Sequence, residues 1–300
     1  MWLTFALFAS LLFGIIHILD SYCVNEVFDK PWMGAITSSI ATLVAVFLPL
    51  IFLLPFMEIV IPSWKVILLG ISAGVLIQIS QVLYFQSLGY SEAGIVSAYW
   101  NLIPVFIILI GFIVFGRTMS LIHIIGVAIL IVASTFMIKL DSNFDSKLIT
   151  FFLMVAASLL QAIAYIFEDI VFDYISFTHG FILLSIGLVI AGLSPLLLPS
   201  IRTELKKNTI KLAPVWKIFL IMEIINLMAL AFAQGSVSIG NPAFVSAVET
   251  TIPAFVFILS ISLFLLTKNK FGDPRSSTKL PAKIIIVGTM VIGVFLISLS

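Results

Sequence analysis

Glu249 stands about seven residues inside an apolar run, Ala243 to Thr267, and on a helix it shares a face with Ser246 and Thr250 just before Pro253. At 1.5 Å per residue its depth is roughly 10 Å. An ionisable group that far into hydrocarbon costs roughly 2.5–3.5 kcal/mol to insert, so its default reading is functional. A carboxyl there can exchange a proton during a transport cycle or pair with a cationic ligand; the bland alternative is a neutral Glu249 satisfied by an interhelical hydrogen bond. A second apolar run carries a similar face, Ser97, Trp100, Asn101 and Pro104. Proline lacks a backbone donor and frees the carbonyl four residues earlier, which points to Trp100 and Glu249. Freed carbonyls beside polar side chains suit a ligand site, although a proline can equally serve only to shape a helix.

Other polar residues sit where a bilayer disfavours them. Glu223 is followed one turn on by Asn226, and the pair of Glu223 and Glu249 could hold a cation, or a proton and an amine in competition; snorkelling to the interface is the alternative for Glu223. His17 and Asp20 lie one turn apart and can form a proton relay, because imidazole titrates near neutral pH. Gln161, Tyr165 and Glu168 mark a matching face further along, and for both clusters the alternative is a solvated rim, to which Asp169 and Asp173 are assigned. Gln78 and Gln81, followed by Tyr84, can bind a solute or act as hydrogen-bonding glue between helices. Trp100 and Tyr99 offer cation-π faces to an amine.

Competing chemistries lack their residues. Cys23 is the single cysteine, so no intrachain disulfide exists, and His17, His123 and His179 are too dispersed for zinc spacing. Neither a phosphate-binding glycine loop nor a His-Glu-x-x-His motif is present, and no catalytic residue and no cofactor is expected. Fifteen basic residues against 14 acids exclude the basic excess of a nucleic-acid binder.

What must position these groups follows from composition. With 62% apolar and 10% charged residues and a mean hydropathy of +1.27, the 300-residue chain cannot cover a soluble surface, and the bilayer is its solvent. Ten runs are long enough to cross it: Trp2 to Ser21, Met33 to Phe56, Trp64 to Tyr84, Gly94 to Phe115, Leu121 to Ile138, Leu148 to Ile170, Thr178 to Pro199, Val215 to Gln234, Ala243 to Thr267, and Lys283 to Leu299. The first lacks a basic leader and a clear small-residue cleavage site, and reads as a retained span. Turn chemistry marks the breaks at Asp29-Lys30-Pro31, Ile61-Pro62-Ser63, Asp141-Ser142-Asn143, Gly240-Asn241-Pro242 and Gly272-Asp273-Pro274. No connection has room for an extramembrane domain.

The halves match one another in order. Ala9-Ser10-Leu11-Leu12 recurs as Ala157-Ser158-Leu159-Leu160, an offset of 148 that also sets Asp20 against Glu168. Span two matches span seven at 146, pairing Gly34 with Gly180, Ser39-Ile40 with Ser185-Ile186 and Pro49-Leu50 with Pro195-Leu196. Span four matches span nine at 149, pairing Val96-Ser97-Ala98 with Val245-Ser246-Ala247, Ile103-Pro104 with Ile252-Pro253 and Phe106 with Phe255. The expected fold is therefore an all-α integral membrane protein of ten transmembrane helices, in two five-span repeats, 1–140 and 148–300. An odd number of spans per repeat inverts the second relative to the first, an arrangement characteristic of secondary transporters with a midplane site. Thirteen of the Lys and Arg residues fall in connections after odd-numbered spans, including Lys283, and only Lys65 and Arg117 after even ones. The positive-inside rule puts the odd connections in the cytoplasm and both termini outside.

The five-plus-five plan, Phe13-Gly14 in span one, Ile103-Pro104-Val105-Phe106 in span four, and Gly126 and Gly288 in the closing spans resemble the EamA-type branch of the drug/metabolite transporter superfamily. The resemblance implies a carrier of small metabolites such as amino acids, amines, nucleobases or sugar derivatives. That branch usually has Gly-Glu after span four, where this chain has Gly116-Arg117, so that glutamate's role has no bearer here. It also implies cytoplasmic termini, opposite to the charge count.

The expected function is a secondary-active transporter in the plasma (cytoplasmic) membrane, moving a small polar solute by alternating access, with proton coupling one option. The acidic intramembrane residues tilt the solute toward amines and amino acids. Substrate-binding candidates are Glu249, Trp100, Asn101, Ser97, Ser246, Thr250, Gln81, Gln78, Tyr84 and Tyr99; coupling candidates are Glu249, Glu223, His17, Asp20 and Glu168. A lipid-modifying intramembrane enzyme and a channel or scramblase are the alternatives. One chain holds both repeats, so the expected unit is a monomer in the lipid bilayer, with a dimer as the alternative. A reporter domain fused after Ser300 is expected to read as extracytoplasmic; a cytoplasmic reading reverses the charge-based orientation.

Overall fold

The computed structural model describes residues 1–47, 61–116, 120–140, 147–212, 216–240, 242–267 and 279–298. These are helical, with no strand among them, as hydrocarbon demands of a chain that must satisfy its own backbone. Helix α1 (Trp2–Tyr22) runs on into a π-helical turn, Cys23–Val27, and α2 (Met33–Thr42) into another, Leu43–Phe47. Then come α3 (Trp64–Leu88), α4 (Ala93–Tyr99), α5 (Ile103–Phe115), α6 (Leu121–Leu140), α7 (Lys147–Tyr174) and α8 (Phe177–Leu193). The remainder is α9 (Pro199–Leu212), α10 (Trp216–Val237), α11 (Pro242–Glu249), α12 (Ile252–Leu266) and α13 (Leu280–Ser298).

Among the described residues six stretches are long and apolar enough to cross a membrane: Trp2–Val27, Trp64–Leu88, Ala93–Val114, Leu148–Tyr174, Phe177–Leu197 and Leu220–Val237. Shorter apolar helices lie at Ile124–Ala133, Ile252–Leu266 and Leu280–Leu296. The chain is a multi-pass membrane protein. The second half of the second expected span, with Pro49-Leu50, lies outside the described residues, as do the breaks at Asp141-Ser142-Asn143 and Gly272-Asp273-Pro274, Asn241, and Arg117. The breaks at Asp29-Lys30-Pro31 and Ile61-Pro62-Ser63 are non-helical.

Helix α3 packs along α7 and α8, α1 along α10, α11 and α12, α7 against α4 and α5, and α6 against α13. Small residues let backbones close in: a Cβ on Gly74 would collide with the Leu184 carbonyl, and one on Gly187 with the Ile71 carbonyl. Phe255 Cβ fills the space beside Gly14, seating α12 against α1.

Two expectations change. The connection after the seventh span is a polar helix, α9, tied back to the end of the first span by Asn208 Nδ2 donating to Val27 O at 3.0 Å and by Lys30–Glu204 at 2.9 Å. Lys283, counted above as a connection cation, is 1% exposed and ion-paired with Glu92, itself buried at the start of α4; its ammonium also stands 5.7 Å from the Phe257 ring centroid. It reads as a loop residue because it lies at a span's edge, yet three helices enclose it, and the basic bias of the odd connections falls to twelve.

A buried charge stripped of its partner is costly, so Lys283→Met is expected to destabilise the protein by about 3 kcal/mol in detergent thermal melts. Adding Glu92→Gln to that variant is expected to recover most of the loss, and full additivity of the two changes would show that the pair does not couple.

Candidate functional site

Both proline-bearing spans break in mid-course. Between α4 and α5 the chain makes a 3-10 turn, Trp100–Leu102, and between α11 and α12 a turn at Thr250 and Thr251, so Pro104 and Pro253 each sit in the first turn of a new helix. Helix ends inside a bilayer leave carbonyls that need donors. Ser158 Oγ on α7 donates to Tyr99 O at 3.0 Å. At the other break Thr251 Oγ1 donates to Val248 O at 2.8 Å, and Ser10 Oγ on α1, bonded chiefly to Ala6 O at 2.8 Å, reaches Val248 O at 3.4 Å. The carbonyls captured by neighbouring serines thus belong to Tyr99 and Val248, one residue before those expected from proline geometry, because the chain turns off the α-helix ahead of each proline.

Between the broken spans, α1, α3 and α7 lies a cavity of about 70 Å³, lined by Phe13, His17, Gln81, Trp100, Ile103, Gln161, Tyr165, Ser246, Glu249 and Ile252. It has room for about five waters. Glu249, the last residue of α11 and 7% exposed, accepts a hydrogen bond from the Tyr165 hydroxyl at 2.6 Å through Oε2, while Oε1 has no hydrogen-bond partner. Gln161 Oε1 accepts from Ser80 Oγ at 3.0 Å.

A smaller cavity of about 30 Å³ adjoins it and shares Phe13, His17 and Gln81 as its wall. Asp20, Glu223, Asn226, Ser38 and Tyr84 supply its polar groups. The Tyr84 hydroxyl lies 2.5 Å from His17 Nδ1 and donates to Asp20 Oδ2 at 3.0 Å. Asn226 Nδ2 donates to Ser38 Oγ at 3.1 Å. Glu223 is 4% exposed and its Oε2 has no partner.

Of the sequence candidates, His17, Gln81, Trp100, Ser246 and Glu249 meet at the larger cavity, and His17, Asp20, Gln81, Tyr84 and Glu223 at the smaller. Glu223 and Glu249 do not face one shared space, because Glu223 lies near the start of α10, beside the end of α1, and Glu249 ends α11. His17, Asp20 and Glu168 are buried rather than on a solvated rim, and the His17–Asp20 link runs through Tyr84 from another helix. Asp173 is exposed and Asp169 half-buried. Glu168 accepts from Gln234 Nε2 at 3.0 Å and lines neither cavity. Neither do Gln78, whose Nε2 donates to Ala35 O at 2.8 Å, Ser97, bonded to Gly94 O at 3.0 Å, Asn101, whose Nδ2 contacts Met290 Sδ at 3.5 Å, Tyr99, edge-on to Phe151, or buried Thr250. Tyr165 and Gln161 are the polar wall residues missing from both the substrate-binding and the coupling candidates, while His17 is a coupling candidate only; Tyr165 and Gln161 belong to the face marked on span six, and only the break that swings Glu249 toward α7 reveals their use.

Residues 1–139 match the EamA-like transporter family. No curated protein matches the sequence. A crystal structure described only as that of a protein aligns over 97% of this chain and 98% of its own, with a TM-score of 0.55 at 14% identity, a likeness of fold alone.

Removing the donor to a buried carboxyl costs about 1–3 kcal/mol. Tyr165→Phe is therefore expected to lower the thermal midpoint, and Tyr165→Phe combined with Glu249→Gln to lose less than the sum of the two.

Proposed function

We propose that this chain, an EamA-like domain of the drug/metabolite transporter superfamily over its first 139 residues, is a secondary-active carrier whose larger cavity binds a small cation-bearing solute, an amine or amino acid. One observation carries the reading. At the offsets of 148 for spans one and six and 149 for spans four and nine, eight of the ten cavity residues form four repeat pairs: Phe13 with Gln161, His17 with Tyr165, Trp100 with Glu249, and Ile103 with Ile252. Residues paired across a two-fold axis line one space only if that space lies on the axis. The cavity thus fits the midplane site of an inverted pair, 1–140 and 148–300.

Packing supports the same symmetry. The contact of α1 with α10 is mirrored by that of α7 with α3, and α1 against the ninth span by α7 against the fourth. Ser10 and Ser158, repeat partners themselves, reach carbonyls that are also repeat partners, Val248 and Tyr99. Rocking of one repeat against the other around the cavity is the alternating-access motion this geometry favours.

Charge selects the solute. Glu249 Oε1 is open, the end of α11 adds partial negative charge, and Trp100 offers a π face, all of which suit an ammonium group. Gln81, Gln161 and Ser246 can orient a polar solute by hydrogen bonds. One chain supplies both repeats, which fits a monomeric transport unit, and in the cytoplasmic membrane proposed for it the basic bias of the odd connections favours both termini outside.

The test is a thermal melt of purified protein against amines, amino acids, nucleobases and sugars, since a ligand of the folded state raises the midpoint. A cationic or zwitterionic solute is expected to do so, and Glu249→Gln to weaken its binding about 30-fold, the loss of a buried charge contact near 2 kcal/mol. Equal binding by the variant would remove Glu249 from the site, and failure to support counterflow in proteoliposomes would refute the carrier.

A further inference from the structure

The smaller cavity presents a charge problem that the solute site does not solve. Asp20 and Glu223 are each at least nine-tenths buried, share one space, and find no Lys or Arg among the described residues of its wall. Two carboxyls in such a place need protons or a cation, since the cost of burying unpaired charge is prohibitive. Glu223 Oε2 lacks any hydrogen-bond partner, and Asp20, Ser38 and Gln81 stand on the same wall. Each of these side chains carries an oxygen, the donor that hard cations prefer.

Size and charge narrow the occupant. About 30 Å³ leaves room for roughly two waters, enough for one dehydrated ion and too little for an organic amine. If the two carboxyls retain one proton between them, a single positive charge leaves the site neutral. Asp20 lies in the last turn of α1 and Glu223 near the start of α10, so the site stands between the solute cavity and the face of the membrane that carries the basic connections.

We propose that the smaller cavity binds one sodium-sized monovalent cation between Asp20 and Glu223, and that the His17–Tyr84–Asp20 chain couples this ion to the solute cavity. With Asp20 ionised around the cation, the Tyr84 hydroxyl donates to it, and the Tyr84 oxygen accepts from His17 Nδ1–H. That leaves Nε2 of a ring lining the solute cavity as an acceptor. If a proton replaces the cation on Asp20, the chain reverses: Asp20 donates to Tyr84, Tyr84 to Nδ1, and Nε2 carries the hydrogen. Ion occupancy thus decides whether His17 offers the solute an acceptor or a donor, and by linkage the solute reports back on the ion. The coupling rests on the carrier reading; the ion site does not.

The experiment uses the full-length protein at fixed pH 8 with graded NaCl, KCl or LiCl, ionic strength held with choline chloride, followed by thermal melts and radioactive sodium binding. Sodium is expected to raise the midpoint saturably by about 3 °C at tenfold saturation, one ion per chain. Glu223→Gln and Asp20→Asn are expected to abolish that rise, while Glu249→Gln keeps it. Equal responses to sodium and choline, or a response retained in Glu223→Gln, would each overturn the ion site. Should Glu223→Gln not fold, Ser38→Ala is expected to weaken sodium binding about tenfold, and unchanged binding there also overturns it. In Tyr84→Phe the sodium and solute shifts are expected to persist but to become additive; retained synergy overturns the coupling. If no solute shifts the melt, the carrier reading fails while the sodium arm is still decided by Glu223→Gln.

Discussion

Hydrocarbon offers no water to a carbonyl, and two spans of this protein are interrupted in its midst. The centre of the molecule is organised by how those interruptions are satisfied. Serines on α1 and α7 and a threonine in the second break reach the exposed carbonyls, which fixes the two flanking helices against the two broken spans. Those four segments then form most of the walls of the larger cavity. A break without its donors would have to close into continuous helix, and Glu249 would turn with it. The carboxyl's position is therefore a consequence of backbone satisfaction first and of its own hydrogen bond to Tyr165 second.

Polar side chains in the bilayer divide into those that hold helices together and those that face space, and spacing along the chain does not distinguish them. Gln78 and Gln81 lie within one turn of each other on α3. Gln78 spends its amide on the Ala35 carbonyl of α2, and Gln81 lines both cavities. The difference lies in what stands opposite: a helix backbone near Gln78, a gap kept open by the neighbouring break near Gln81. Ser97 and Ser246 differ in the same way although they correspond at the 149-residue offset, the first bonded to its own helix and the second on the cavity wall.

What was legible in the sequence follows from which forces are local. Helices, the prolines Pro104 and Pro253 that disturb two spans, and a carboxyl too deep for lipid all depend on residues close in the chain and read directly, whereas the full break at each proline does not. The Tyr165–Glu249 and Tyr84–Asp20 bonds join residues from different helices, and no periodicity carries that information. Lys283 was read as a loop residue for a related reason: its neighbours in sequence are a basic connection, while Glu92 and Phe257 come from other spans. The polar helix α9 was read as a connection because hydropathy records only what the bilayer accepts, not what lies folded at its surface.

The two halves also differ in a way that bears on mechanism. Asp20 and Glu168 occupy equivalent positions at an offset of 148, each near the end of the first helix of its repeat and each bonded to a residue of the third, Tyr84 and Gln234. Asp20 faces a cavity continuous with the wall of the central one, whereas Glu168 is fully buried and lines neither. Two strictly equivalent halves would give both carboxyls the same surroundings. A carrier built from an inverted pair cannot keep that equivalence in any single state, because opening toward one side means closing toward the other. On the carrier reading proposed above, the space beside Asp20 and the packing around Glu168 belong to one such state, and exchanging their roles describes the other: a cavity opening beside Glu168 as α3 and α10 exchange roles, with Asp20 enclosed.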